Sequence, residues 1–420
     1  MRYHNGAPLT AEAAAGAINF FLTPEGKATV TGGSVSSYVA GARAVDAMTL
    51  EIETKSPDPV LPSAIRSVFV FDPKAWADLG ADKFSLSPVG TGPFKVTSWN
   101  PESVDLLEFE DAWQKPKVKR LQVIALPEPA ARVQALISRQ IDLTPYLPID
   151  SIPQVEAAGF KADIFTTPNV FGYAFISTYR DTPFKDKRVR QAVNYAINKQ
   201  AIVDGLLRGA TRPASQAATP QTFGYNPDVK PYPYDPAKAK ALLTEAGYPN
   251  GIDFDAIVIP NIAAADTDIH QQVAQDLAKV GLRSTVKSQP FAEWLKVYFA
   301  DVPKEDFGKG WGEKAGTFQL GITLDTFTDP APRLNNPWSC KAAKIFYCNE
   351  KESALLQQAS EEFDPEKRKK ILQAFQASFH DNAPVVFLVE SADIVGRAPN
   401  VQNAELIFRV FKYDRIVKAR

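Results

Sequence analysis

Cysteine and histidine are scarce in this chain of 420 residues, which holds two of the first, Cys340 and Cys348, and three of the second, His4, His270 and His380. Seven residues separate the cysteines, so they lack the CxxC form of a zinc or thioredoxin-type site, and no histidine stands near them to complete a metal set. The histidines are scattered, and a GxSxG elbow, an HExxH pair and a P-loop are all missing. An enzyme is therefore not expected; a carboxylate-pair hydrolase stays open as a remote alternative, because 48 acidic residues always offer pairs. Charge of one sign is lacking as well. Lys and Arg total 47 and the net charge is −1, which gives no pull toward nucleic acid or an anionic surface. No apolar run approaches the roughly 18 to 20 residues of a membrane-spanning helix. Neither a metal nor a cofactor is called for.

What is present is ordinary globular sequence, 45% hydrophobic and 23% charged, long enough for two or three domains of roughly 100–200 residues each. Helix and strand patterns alternate throughout. Met48–Thr54 and Val104–Phe109 alternate as half-buried strands, and Ala131–Ile137 reads as a helix leading into the short strand Ile141–Leu143. Ile269, Val273 and Leu277 line one face of a helix that stops at Gly281, and Leu282–Val286 then alternates. His270 adjoins that stripe and reads as a solvated surface residue. His380 reads as the end of a helix, where a cation suits the dipole. The pattern favours sheets covered by helices, an α/β class that binds ligands where lobes or switch points meet.

The stretch from Asp181 to Gly251 is the most informative. A turn at Asp181–Lys185 precedes a helix expected to open at Asp186 and run through DKRVRQAVNYAINKQAIVDGLL, with Val189, Ala192, Val193, Ala196 and Ile197 on one face. A Pro- and aromatic-rich connector, Thr219–Pro227, leads to a second helix. Asp235 caps its first turn, Pro236 sits where no N–H is needed, and Gly247 suits a left-handed stop.

RVRQAVNYAIN at 188–198, followed by DPAKAKALLTEAGYPNG at 235–251, resembles the bacterial solute-binding protein family 5, whose members bind peptides, nickel complexes, glutathione, opines or oligosaccharides for ABC importers. Further motifs agree in order. Gly90-Thr91-Gly92-Pro93-Phe94 resembles the family's GTGP(F/Y) turn, Thr323–Pro330 its W-x-x-D…DP cleft segment, and Phe363–Arg368 through Asn382–Val386 its late helix and strand. The resemblance implies a two-lobed periplasmic-binding-protein fold with an extra accessory domain. Residues 1–88 would be a remnant of that domain, 89–170 with 391–420 lobe one, and 171–390 lobe two. Arg2–Glu12 resembles a segment that lies well inside the family's precursors, and Met1–Pro24 lacks the build of a signal peptide. The expectation is an N-terminally truncated frame, from a late start or a real deletion, with unpaired strand edges and poor solubility.

The implied function is that of an extracytoplasmic binding protein, periplasmic or tethered outside the cell. Working as a monomer, it would capture a peptide or other small solute by hinge closure and deliver it to a membrane permease. A chemosensory ligand carrier or a chaperone on the same fold is the alternative. Asp325 aligns with the Asp that pairs with a peptide's α-ammonium group in peptide-binding members; the plainer reading is a turn cap before Asp329-Pro330. Trp294 and Trp311 are candidate cleft aromatics. Core packing is the preferred reading for Trp294, which shares a helical stripe with Leu295, Tyr298 and Phe299, whereas Trp311 reads as more open among glycines and charges. Thr91 could touch ligand, although Gly92-Pro93 more simply shapes a strand entry. Ile322 stands where many members place a Trp, and Ile259–Ala265 has no Arg, so a dipeptide is less expected than a larger or differently charged solute. Related peptide-binding members carry a C…C loop where Cys340 and Cys348 fall, so a disulfide is preferred over two buried thiols, as suits an oxidising compartment.

Overall fold

In this computed structural model the described residues are 1–178, 181–260, 264–298, 309–319, 338–340, 346–407 and 410–419. The chain divides into two compact units. One takes in Met1–Leu147, Ser151–Asp163 and Val395–Arg420, the other Pro148–Asp150 and Ile164–Ile394.

In the first unit, β1 (Val39–Ala44) and β2 (Leu50–Thr54) form an antiparallel hairpin. Leu50 and Ile52 turn one way and Glu51 and Glu53 the other, so the apolar pair packs on the cluster of Ile18, Phe21, Val35 and Val39. A second antiparallel sheet joins β3 (Phe94–Trp99), β4 (Ser103–Glu108) and β5 (Arg120–Ile124). Its register sets Val96, Leu106 and Leu121 side by side, and likewise Trp99, Val104 and Val123. The turn into β3 is fastened by His4. The Gly90 N–H donates to His4 Nδ1 at 3.3 Å, which leaves the proton on Nε2 to donate to the Gly92 carbonyl at 3.1 Å. The short strand β6 (Leu143–Thr144) also belongs here.

The second unit is built on β7 (Lys161–Phe175), β8 (Ile252–Val258), β9 (Leu282–Ser288), β10 (Ala315–Gln319) and β11 (Val385–Arg397). The sheet order is β6-β11-β7-β10-β8-β9, where β8 runs parallel to both β9 and β10, and β10 antiparallel to β7. The chain passes from one unit to the other inside β7, between Asp163 and Ile164, and returns inside β11, between Ile394 and Val395. A helix at Asp266–Ala278 buries Ile269, Val273 and Leu277. Its follow-on turn brings Gly281 against Gly251, where a Cβ on Gly251 would meet the Gly281 carbonyl oxygen at 1.9 Å. Both glycines hold positive φ, so the contact needs two residues without side chains.

The first signature helix spans Lys187–Ala196 and is capped by the Asp186 carboxylate, which accepts the Arg188 N–H at 2.8 Å. Val189, Ala192, Val193, Ala196 and Ile197 are all buried. The expected single run through Leu207 does not form. The helix stops at Ile197, and Asn198 starts a new helical turn by accepting the Ala201 N–H at 3.0 Å while its own N–H goes to Asp276 at 3.0 Å. Two side-chain bonds outcompete the helical ones there. Two polar residues of the motif are buried as deeply as its apolar face. Arg190 donates to the carbonyls of Phe184, Lys185 and Asn382 at 2.8 to 3.1 Å. Asn194 donates to the Val385 carbonyl at 2.9 Å and accepts the Phe387 N–H at 3.2 Å, so its amide pairs with β11 as a neighbouring strand would.

The second signature helix, Pro236–Glu245, is capped as its sequence implies, with Asp235 accepting the Lys238 N–H at 2.9 Å. His380, in the last turn of the Pro365–Asn382 helix, is not the cation its position suggested. Its ring stacks on Tyr232 at 4.2 Å, and burial lowers its pKa below the ordinary histidine value. Lys199 shares this interior. It is 3% exposed, with Nζ 3.3 Å from the Asn194 amide oxygen and 5.3 Å above the Tyr232 ring, and burial pushes its pKa down to about 7.

Two outcomes follow. Arg190→Met strands three carbonyls and should cost about 3 kcal/mol in urea unfolding; a loss within experimental error would rule out the clamp. Lys199 holds its proton to about pH 10 when unfolded but gives it up near pH 7 when folded, so the unfolded state binds more protons between those values and stability rises with pH there. Lys199→Met should raise Tm most at pH 7 and below and progressively less toward pH 10. A Tm difference that is flat across this range would contradict a buried lysine.

Candidate functional site

Three parallel strands of the second unit, β8, β9 and β10, end together, and in open α/β sheets the carboxyl edge is where ligands are read. Ile259 follows β8, Gln289 follows β9, and Gln319 is the last residue of β10. The Gln289 N–H donates to the Val258 carbonyl at 2.9 Å, and the Ile259 N–H donates to the Gln319 side-chain oxygen at 2.6 Å. The helix Phe291–Tyr298 starts two residues after Gln289 and carries Trp294 inward.

Trp294 is buried, stacked on Phe318 at 4.9 Å and on Tyr298 at 4.7 Å. Trp311, expected to be open, is 4% exposed. Phe318 stacks on it at 4.1 Å and Phe346 lies parallel at 5.9 Å, and this aromatic area outweighs the polarity of its sequence neighbours. The structure thus assembles Trp294 and Trp311 on one ring, Phe318. At one end of the stack Phe291 is 53% exposed, 6.0 Å from Trp294. Among the described residues, the buried polar atoms Gln289 Oε1, Trp294 Nε1, Gln319 Nε2 and His270 Nε2 around this edge have no hydrogen-bond partner. Buried groups of this kind are normally satisfied; others occur away from this edge, at Tyr3 Oη and Gln376 Nε2 among them.

Thr91 lies in the other unit, half-buried in the turn that His4 fastens. Asp325 and Ile322 fall outside the described residues, as do Asn261, Ile262 and Ala263 of the segment without Arg. Sequence reading passed over Gln289, Gln319 and Phe318, which carry no motif; their one signal is a place directly at or after the end of a strand.

Cys340 and Cys348 are joined by a disulfide with Cα atoms 4.8 Å apart. Beside it the Cys340 N–H donates to Ser353 Oγ at 3.0 Å, and Ser177 Oγ donates to the Phe346 carbonyl at 2.7 Å. Tyr347 lies over the Arg190 guanidinium at 5.3 Å. Glu352, fully buried, accepts from Ser378 Oγ at 2.7 Å and Asn382 Nδ2 at 2.8 Å, and burial raises its carboxyl above the usual range. Among the described residues the grouping of metal-ligating types is Cys340, Cys348 and Glu350, and both its sulfurs are committed to each other.

Residues 1–344 match the family described as bacterial extracellular solute-binding proteins, family 5 Middle. The chain belongs to this family. It is 29% identical over 321 residues to the dipeptide-binding protein of Escherichia coli (strain K12), a match covering 74% of this chain and 57% of the relative. Its identity to heme-binding protein A of Haemophilus influenzae is 27% over 334 residues, covering 78% of this chain and 58% of that protein. The chain therefore spans a little under three fifths of the length of these relatives. Among solved structures, a peptide binding protein AppA from Clostridium difficile superposes with a TM-score of 0.86 at 18% identity, covering 100% of this chain and 87% of that one. The fold is thus the two-lobed periplasmic-binding-protein fold.

The disulfide closes a short loop, and its removal tests what it holds. Changing Cys340 and Cys348 together to Ser should cost about 2.5 kcal/mol in urea unfolding by the loop-entropy estimate. Equal stability of the double variant and the oxidised protein would show that the loop is held by its packing alone.

Proposed function

We propose that this chain is an extracytoplasmic binding protein of an ABC importer, capturing a peptide or other small solute and delivering it to a membrane permease without chemical turnover. The observation that carries this reading is the family match over residues 1–344. The carboxyl edge of β8–β10, with its stacked aromatics and open hydrogen-bond valences, supports it as a place to hold a solute. The family's description as extracellular supports a place outside the cytoplasm, and among the described residues no helix is long and apolar enough to cross a membrane.

In this reading residues 1–88 belong to an accessory domain, 89–170 with 391–420 to lobe one, and 171–390 to lobe two. Solute contacts both lobes and shifts the population toward a closed form that the permease recognises, with β7 and β11 as the strands through which the chain crosses. Asp325 pairs with a cationic group of the solute, Trp294 and Trp311 back the pocket through Phe318, and Thr91 contributes from lobe one. The protein acts as a monomer and needs no cofactor.

A thermal-shift panel of peptides, opines, oligosaccharides and metal chelates tests the function on the 420-residue chain, since a ligand at 100 times its Kd stabilises by about 2.7 kcal/mol. Silence across the panel at millimolar ligand would count against solute capture. With a hit in hand, Asp325→Ala should weaken binding by about 2–5 kcal/mol if the carboxylate meets a charged group. Unchanged affinity would remove Asp325 from the site.

A further inference from the structure

On the helix face of the same strand edge lies a set of buried polar groups that no family motif explains. Tyr173 on β7 and Gln319 on β10 are register partners in the antiparallel ladder, so their side chains are neighbours on one face of the sheet. Tyr173 Oη lies 2.5 Å from His270 Nδ1, on the helix that covers this face. His270 is 3% exposed, which overturns its reading as a solvated residue: the sequence showed only that it sits beside an apolar stripe, and the stripe proved wide enough to include it. The backbone of Ile259 lies beside the imidazole, whose Nε2 makes no hydrogen bond, while the Ile259 N–H is held by Gln319 Oε1 at 2.6 Å. Two hydrogen bonds, Tyr173 to His270 and Ile259 to Gln319, thus meet here, with Tyr173 and Gln319 neighbours in the ladder.

We propose that Tyr173, His270 and Gln319 form a ring around Ile259, a positioning device that sets the course of the chain leaving β8 at the solute edge. It rests on the reading of that edge as the solute site. Three further observations support it. Pro260 follows Ile259 directly and restricts the next backbone step. Ala265, just before the helix, adopts φ of 52°, a left-handed conformation that a residue with a side chain keeps only when its surroundings dictate it. A small void lined by Tyr173, His270 and Thr317 adjoins the ring among apolar side chains, and burial there pushes the His270 pKa down to about 4. The imidazole is therefore neutral, accepting from Tyr173 at Nδ1 and carrying its proton on Nε2, toward Ile259. Asp266, buried at the start of the helix, favours the charged form but does not outweigh the loss of water.

Amide hydrogen exchange by mass spectrometry on Tyr173→Phe, Gln319→Leu and His270→Gln tests the device. Leu356→Ala, a core truncation in the same unit outside the ring, serves as the stability-matched control. Loss of one ring bond should speed exchange of the amides at 259 and 264–266 about tenfold more than Leu356→Ala does, whereas His270→Gln, which keeps a donor and an acceptor, should stay within about threefold. Acceleration spread evenly over the unit, as in Leu356→Ala, would reduce the ring to packing. The unsubstituted protein offers a check that no folding failure can spoil: imidazole ¹⁵N shifts at neutral pH should report a neutral His270 protonated at Nε2. A proton on Nδ1, or a charged ring, overturns the assignment. Both readouts are taken without solute, so their failure removes the ring alone, while silence in the solute panel removes the proposed function and leaves the ring standing.

Discussion

One buried guanidinium decides where the second unit's C-terminal strand begins. Arg190 gathers the end of the turn before its own helix and the end of the Pro365–Asn382 helix, and Asn194, one helical turn on, hands its amide to the first residues of β11. A charge kept from water is costly unless its donors are used, and here they are spent on main-chain carbonyls that would otherwise end helices unsatisfied. Because β11 adjoins β7, and β10 follows it, the sheet order that brings three parallel strand ends together rests on this junction.

Much of this was legible. The helix start at Asp186 and the cap at Asp235 are local, so residue type and spacing suffice to place them. The alternation read over Met48–Thr54 holds from Leu50 on, where the strand begins, and the stripe of Ile269, Val273 and Leu277 named the inward face of its helix correctly. The partners of Arg190 could not be read, because Asn382 lies 192 positions away and a carbonyl leaves no trace in a side-chain pattern. His270 and Trp311 were misjudged for one reason. Each was weighed by its sequence neighbours, whereas burial is settled by what other strands and helices bring against them. The break at Ile197 was hidden because Asn198 and Asp276 meet only in the fold.

The candidate site is similarly divided. Aromatic residues announce themselves, and Trp294 and Trp311 were both noticed. What the sequence could not convey is that they share Phe318 as a common face, or that carboxamides from two strand ends lie unsatisfied at the same edge. Those amides carry no charge, so in the proposed site they would offer hydrogen-bond geometry beside flat apolar area.

The disulfide lies where the core meets the surface. Trp338, two residues before Cys340, is among the largest fully buried side chains, and Phe346, two before Cys348, is buried with it. Yet Cys348 itself is exposed and Cys340 only half-buried. Oxidants and reductants can therefore reach the sulfurs in the folded protein. The covalent link thus sits at the surface while both of its neighbouring anchors lie in the core.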